Sequence, residues 1–346
     1  MQQSKTYCPL VYHQLTVDFK NRADPCCQAE LKTTLNNYQT AIQEIKSAIE
    51  ANERHTACQQ CWKDEDLKLE SLRQSSILGY QNVSPTAGIV SMDLRVTNKC
   101  NLACSMCNEN ASSLWGRMKG KDTIRNIDTS EYDQIIAMSG NIKKLSIQGG
   151  EPFYGDDFIN LVNAMPNKKN IALEIFTNVV TAPPDLIKQW QEQYKSILII
   201  ASVDGVEEVF EDIRWPASWS KLNRKLDVLY SFLGRAVIFN YTLQNSNLLC
   251  VKRFVDWRNE KYPESLINFS PLSYPRPLEF TNVDEATKQA ASSMFESITA
   301  TKDPERLRLD GLKKVLLNSS TDETKLNAAK KYQERLAMLR SKTQIE

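Results

Sequence analysis

Cys100, Cys104 and Cys107 follow one another as C-x3-C-x2-C in the segment CNLACSMC. Three thiolates can hold three irons of a [4Fe–4S] cube and leave the fourth iron open. An iron without a protein ligand can bind and activate a small chelating molecule, which a fully ligated electron-transfer cluster cannot. Zinc is the plain alternative, but it takes four ligands. No further Cys or His lies within thirty residues on either side of the triplet.

Nine cysteines against two histidines favour sites built from thiolates alone. Besides the triplet, Cys8, the pair Cys26-Cys27, and Cys58-Gln-Gln-Cys61 form a second set, and four of these thiolates could complete an auxiliary [4Fe–4S] cluster. The adjacent pair cannot easily serve one cluster, and Cys26 is the preferred ligand. A four-cysteine zinc knuckle is allowed by the same C-x2-C spacing. Cys250 lies in an apolar stretch and reads as a core thiol. His13 and His55 read as ordinary core or surface histidines, with a donor role beside the second cysteine set as the alternative. About 40 residues after the triplet stands Gln148-Gly149-Gly150-Glu151-Pro152. Two glycines let a strand end come close to a ligand, and Glu151 offers a charge-assisted hydrogen bond.

At these motifs the sequence resembles the radical SAM superfamily, in the cysteine spacing, in its place after a first strand, and in the GGEP run. The resemblance implies a [4Fe–4S] cluster on Cys100, Cys104 and Cys107 with S-adenosyl-L-methionine (SAM) at its open iron. It implies one-electron reduction by an external flavodoxin- or ferredoxin-type carrier, and cleavage to a 5′-deoxyadenosyl radical that takes hydrogen from a substrate carbon. Carbonyls around Gly149 and Gly150, with Glu151, would receive the methionyl ammonium. Asn178, Ser202, Asp204 and Arg214, at or just beyond strand ends, would meet the ribose and carboxylate of SAM; helix capping by Asn178 and Asp204 and a surface Arg214 are the alternatives. Met106 stands where the superfamily usually has an aromatic residue against the adenine, and a thioether can still make that apolar contact.

CPLVYHQLTVDFKNRADPCC followed by ACQQCWKDEDLKLESLR is similar to twitch-domain radical SAM proteins of the kind found in bacteriophages. Their SPASM-related segment precedes the barrel, which implies an auxiliary [4Fe–4S] cluster on Cys8, Cys26, Cys58 and Cys61. Lys20-Asn21 replaces the glycine usual before the cysteine pair, and the resemblance covers about residues 7–245.

The elements that must position these residues are legible as strand–helix alternation. Strands are expected at 91–97, 143–148, 171–177, 196–203, 236–243 and 266–272, with amphipathic segments between them, such as 183–194 and 247–259. Six such units predict an α/β fold, an open partial (β/α)6 barrel of the TIM type. An auxiliary-cluster segment with a helix near 35–51 precedes it and charged helices follow (283–299, 303–317, 323–339), giving domains at 1–84, 85–282 and 283–346 with a turn at Ser84-Pro85.

The 346 residues are 41% hydrophobic and 25% charged, ordinary for a globular protein and far from disorder or a disulfide miniprotein. The net charge is +1, while residues 302–346 hold 11 basic and 7 acidic side chains, +4, leaving −3 elsewhere. No apolar run approaches the roughly 20 residues of a membrane span, and MQQSKTYCPL lacks the apolar heart of a secretory signal. A cytoplasmic chain is expected, in the host cytoplasm for a phage protein; the sequence is silent on oligomeric state. Trp115, Trp215 and Trp219 read as packing residues. The basic tail and the phage resemblance point to a modified base in DNA as substrate, with rearrangement of its attached group, hence an isomerase-like outcome. A peptide or small molecule is the alternative. Outside enzymes, an iron–sulfur electron-transfer protein and a zinc nucleic-acid-binding protein remain open.

Overall fold

Val237, Phe239, Tyr241 and Leu243 alternate with half-exposed neighbours along VIFNYTL and are each fully buried, as a strand with one covered face requires. The computed structural model describes residues 4–343 except 69, 85, 122, 300 and 321, so Pro85 of the expected turn lies outside the described residues. It contains an open, predominantly parallel sheet of eight strands: β1 Gln14–Asp18, β2 Arg22–Asp24, β3 Ser91–Arg95, β4 Lys144–Ile147, β5 Ala172–Thr177, β6 Ser196–Ser202, β7 Val237–Leu243 and β8 Ile267–Pro271. The last six fall on the six strands expected from the sequence, and helices separate them in turn. This is the α/β, partial-barrel class of fold.

The chain divides into two compact units. The first takes residues 1–98, 125–175 and 190–197. In it β1 lies antiparallel to β2 and parallel to β3, with Gln14 opposite Ser91, and β3, β4 and β5 continue in parallel. β1 and β2 come from the segment that the sequence sets apart as N-terminal. Leu15 and Val17 of β1 are fully buried, and the helix Tyr38–Glu50 turns Tyr38, Ile42, Ile45 and Ile49 inward, one stripe at helical spacing. Tyr38 also donates from its hydroxyl to the Gln14 carbonyl at 3.1 Å. His13 is buried, its Nδ1 3.0 Å from the Gly88 carbonyl and its ring stacked on Tyr80, so it serves the core.

The second unit takes residues 99–124, 176–189 and 198–346. Its strands β6, β7 and β8 run parallel. Phe239, Tyr241, Phe254, Trp257, Tyr262 and Phe269 fill the space between β7, β8 and the helix Val251–Lys261 with tilted and edge-on ring contacts. Cys250 is buried, a core thiol as expected.

Three charged helices end the chain, Glu285–Ser297, Asp303–Asn318 and Glu323–Ser341. The middle one is pinned by a fully buried ion pair. Arg258 Nη2 meets Glu305 Oε2 at 2.6 Å, Arg258 Nη1 donates to the Ser265 carbonyl, and Glu305 Oε1 accepts from the Ile267 amide at 2.8 Å. Removing one member leaves the other charge buried and unpaired. Glu305→Ala is therefore expected to cost about 3–5 kcal/mol of stability, read as a lowered denaturation midpoint. A loss below about 1 kcal/mol would mean that water reaches the pair.

Candidate functional site

The cysteine triplet occupies the loop between β3 and the short helix Ser113–Met118. Cys100 and Cys104 are buried and Cys107 is half-buried. Serines at the helix start hold the loop's backbone. The Cys100 amide donates to Ser113 Oγ at 3.0 Å, and Ser112 Oγ donates to the Leu102 carbonyl at 2.6 Å while accepting from the Trp115 amide. The amides of Ala103 and Ser105, on either side of Cys104, donate to the carbonyls of Trp215 and Ile213, each at 2.7 Å. Trp115 donates from its indole nitrogen to the Cys104 carbonyl at 2.9 Å, so it both packs and positions.

Burial pushes the Cys104 thiol up, with Arg214 pulling it back, and pushes Cys107 up to about 12. Such thiols stay protonated until a metal centre displaces the proton. Among the described residues no three His, Cys, Asp or Glu side chains converge on one metal ion. A cubane does not ask that, because each thiolate binds a different iron corner. The donor set thus fits a cluster with three protein ligands. Cys107 also borders a cavity of about 340 Å³, walled by Trp115, Lys119, Tyr274, Tyr332 and Arg335.

Asp204 is fully buried, and its carboxylate is engaged by two groups. Its Oδ2 lies 2.7 Å from Arg214 Nη2 and its Oδ1 accepts from the Thr242 amide at 2.7 Å. Arg214 is no surface residue; its Nη1 stands 3.9 Å from Cys104 Sγ. The pair therefore sets a cation against the Cys104 sulfur. Gly205 follows with φ 157°, and a Cβ there would meet Val209 Cγ1 at 2.7 Å, so no larger residue fits behind Asp204. Asn178 donates to Asn101 Oδ1 at 2.8 Å and accepts from the Val180 amide, which ties the end of β5 to the cysteine loop. With Thr177 Oγ1 accepting from the Val179 amide, these bonds hold Val179 at φ 68°, a left-handed conformation that a β-branched residue adopts only when its surroundings impose it. Ser202 ends β6 half-buried, and Met106 is half-buried beside Cys107.

In the first unit, Gly149 and Gly150 follow β4 at φ 90° and 55°. A Cβ on Gly149 would stand 3.0 Å from Arg95 Cβ, so the turn needs glycine for space as well as for its left-handed backbone. Glu151 is buried and accepts from the Phe153 amide through Oε1 at 3.2 Å.

The same unit gathers the second cysteine set. Cys8, Cys26, Cys58 and Cys61 line one small apolar pocket with Leu10 and Arg73, while Cys27 is exposed and does not line it. Burial pushes Cys8 up to about 11 and Cys58 up to about 12, with Arg73 pulling both back. Arg73 is the cation at this pocket, paired with Glu65 at 2.7 Å, bonded to the Tyr7 carbonyl and set over the Trp62 ring. Nothing in the spacing of the cysteines points to it. His55 caps the short turn Thr56–Cys58, its Nδ1 accepting from the Ala57 amide.

Residues 94–243 match the family model of the Radical SAM superfamily. No curated protein matches the sequence. Among solved structures, native anSMEcpe with bound AdoMet is 15% identical with a TM-score of 0.45, over 67% of this chain and 62% of that one. Native anSMEcpe with bound AdoMet and Cp18Cys peptide is 14% identical with a TM-score of 0.43, over 60% of this chain and 58% of that one. The match thus spans about three fifths of those chains. Among the described residues no helix is long and apolar enough to cross a membrane.

Proposed function

Taking the radical SAM superfamily domain at residues 94–243 as its core, we propose that this chain is a radical SAM enzyme with two [4Fe–4S] clusters, of the twitch type with its auxiliary segment ahead of the barrel. The observation that carries the reading is the C-x3-C-x2-C loop inside that domain, held by hydrogen bonds on both sides of Cys104. Bound there, a reduced cluster and SAM supply a 5′-deoxyadenosyl radical able to abstract hydrogen from an unactivated carbon.

The chain's own residues have narrower tasks. Cys100, Cys104 and Cys107 hold three corners of the cluster. Arg214, kept in place by Asp204, offsets the negative charge that gathers on Cys104. Gly149, Gly150 and Glu151 receive the methionyl ammonium, Ser202 and Asn178 orient the ribose and carboxylate, and Met106 lies against the adenine. Cys8, Cys26, Cys58 and Cys61 hold the auxiliary cluster in an apolar pocket that keeps water from it. The superfamily needs an external electron donor, here a flavodoxin- or ferredoxin-type carrier.

Metal analysis of anaerobically purified protein tests the two-cluster reading: about eight irons and as much sulfide per chain support it, and zinc without iron rejects it.

For the substrate, a modified base in DNA with rearrangement of its attached group remains the reading of the basic tail, which the helices themselves narrow. Arg306 donates to the Ile298 carbonyl, Arg308 to the Phe269 carbonyl, and Lys313 pairs with Glu296, so these three are occupied. Lys314, Lys330, Lys331 and Arg335 are exposed. Each neutralised phosphate contributes about −0.9 to the slope of log affinity against log salt, so duplex binding through these four gives a slope near −3.6. Electrophoretic binding at several salt concentrations checks this, and no binding at low salt passes the substrate to a peptide or small molecule.

A further inference from the structure

The helix Glu323–Ser341 lies about eighty residues beyond the end of the matched domain, yet it touches the cysteine loop at both neighbours of Cys104. Tyr332 donates from its hydroxyl to the Ser105 carbonyl at 2.8 Å. Arg340 Nη2 reaches the Ala103 carbonyl at 3.5 Å, its Nη1 pairs with Asp212 at 3.1 Å, and its guanidinium lies over the Trp215 ring, 5.6 Å from the centroid. Between these two anchors Leu336 packs, almost wholly buried, against Ala103, Leu114 and Trp115, with Leu339 beside it.

These contacts complete a pattern. The amides of Ala103 and Ser105 already donate to Trp215 and Ile213, so each residue beside Cys104 has its N–H tied to one segment and its carbonyl tied to the C-terminal helix. Asp212, Ile213, Trp215 and Arg340 thus join those two segments to each other as well as to the loop. Ordering a free loop costs roughly 1–2 kcal/mol per residue in backbone entropy, and these bonds offset part of that cost.

We propose that Tyr332 and Arg340 are positioning residues for the cluster on Cys100, Cys104 and Cys107, and that their helix is a clasp that fixes this loop and covers its apolar side. The inference rests on the cluster assignment made above. It accounts for two of the polar side chains on a helix whose charge otherwise suggests only a solvated face.

The test is iron release from the reconstituted full-length protein to a ferrous chelator, followed anaerobically, in wild type, Tyr332→Phe, Arg340→Met and Arg340→Lys. Tyr332→Phe keeps the ring and removes only the hydroxyl, so it is expected to fold. About half the iron should leave some tenfold faster in Tyr332→Phe and Arg340→Met, as loss of a part-buried hydrogen bond implies. Arg340→Lys should restore part of the difference. The half held by the N-terminal cysteines should leave at the wild-type rate in every variant, which a general loosening of the protein would not produce. Glu334→Gln, exposed on the same helix and outside the cavity beside Cys107, is the matched control and should release iron as wild type does. Wild-type release in both Tyr332→Phe and Arg340→Met overturns the clasp. Absence of iron from the triplet in wild type itself would instead overturn the cluster assignment.

Discussion

Replacing Cys100, Cys104 and Cys107 together by alanine is expected to abolish 5′-deoxyadenosine formation under strong reductant and to leave about half the iron in place. Each thiolate binds its own corner of the cube, so a centre with only three protein ligands has none to spare. Single replacements should already lower the yield to background, whereas Cys250→Ala should not, because that thiol is packed in the second unit's core. Chromatography of the nucleoside product and colorimetric iron analysis read the two outcomes together. Undiminished cleavage in the triple variant would remove the radical SAM assignment. Complete loss of iron from it would mean that the N-terminal cysteines are not an independent cluster site.

The second large effect separates those N-terminal thiols from one another. Cys58→Ala with Cys61→Ala should lose the half of the iron that the triple variant keeps. Cys26→Ala should do the same, while Cys27→Ala should retain all of it. The ground for distinguishing the neighbours is their placement: Cys26 is buried among Cys8, Cys58 and Cys61, and Cys27 is exposed outside that pocket. Iron loss in Cys27→Ala with retention in Cys26→Ala would reverse the ligand assignment.

Much of the fold was legible because the physics involved is local. AVIFNYTL alternates apolar and polar residues and became Val237–Leu243, and KKLSIQ became Lys144–Ile147. Turn residues bound these runs, and amphipathic spacing filled the intervals between them. The partnership of β1 with β3 was not legible, since a strand's neighbour depends on how distant segments pack and not on its own pattern.

The site divides along the same line. The triplet, GGEP and the second cysteine set are spacings, and spacing is written in the sequence. The partner that Asp204 meets was not legible, because an aspartate at a strand end looks the same whether it faces a ligand or is buried against an arginine ten residues on. Tyr332 and Arg340 act across 227 and 237 residues of chain, and they sit in a helix whose lysines, arginines and glutamates read as a solvated face. Trp115 was legible as a packing residue, but its indole bond to the Cys104 carbonyl needed coordinates.

The central claim is that the triplet holds a cluster with one iron open to SAM. Low-temperature electron paramagnetic resonance of the reduced Cys58→Ala, Cys61→Ala protein, in which only that cluster should remain, tests it most directly. Adding SAM should change the signal, because the molecule enters the coordination sphere of an iron that no side chain occupies. A cluster signal identical with and without SAM would contradict the account.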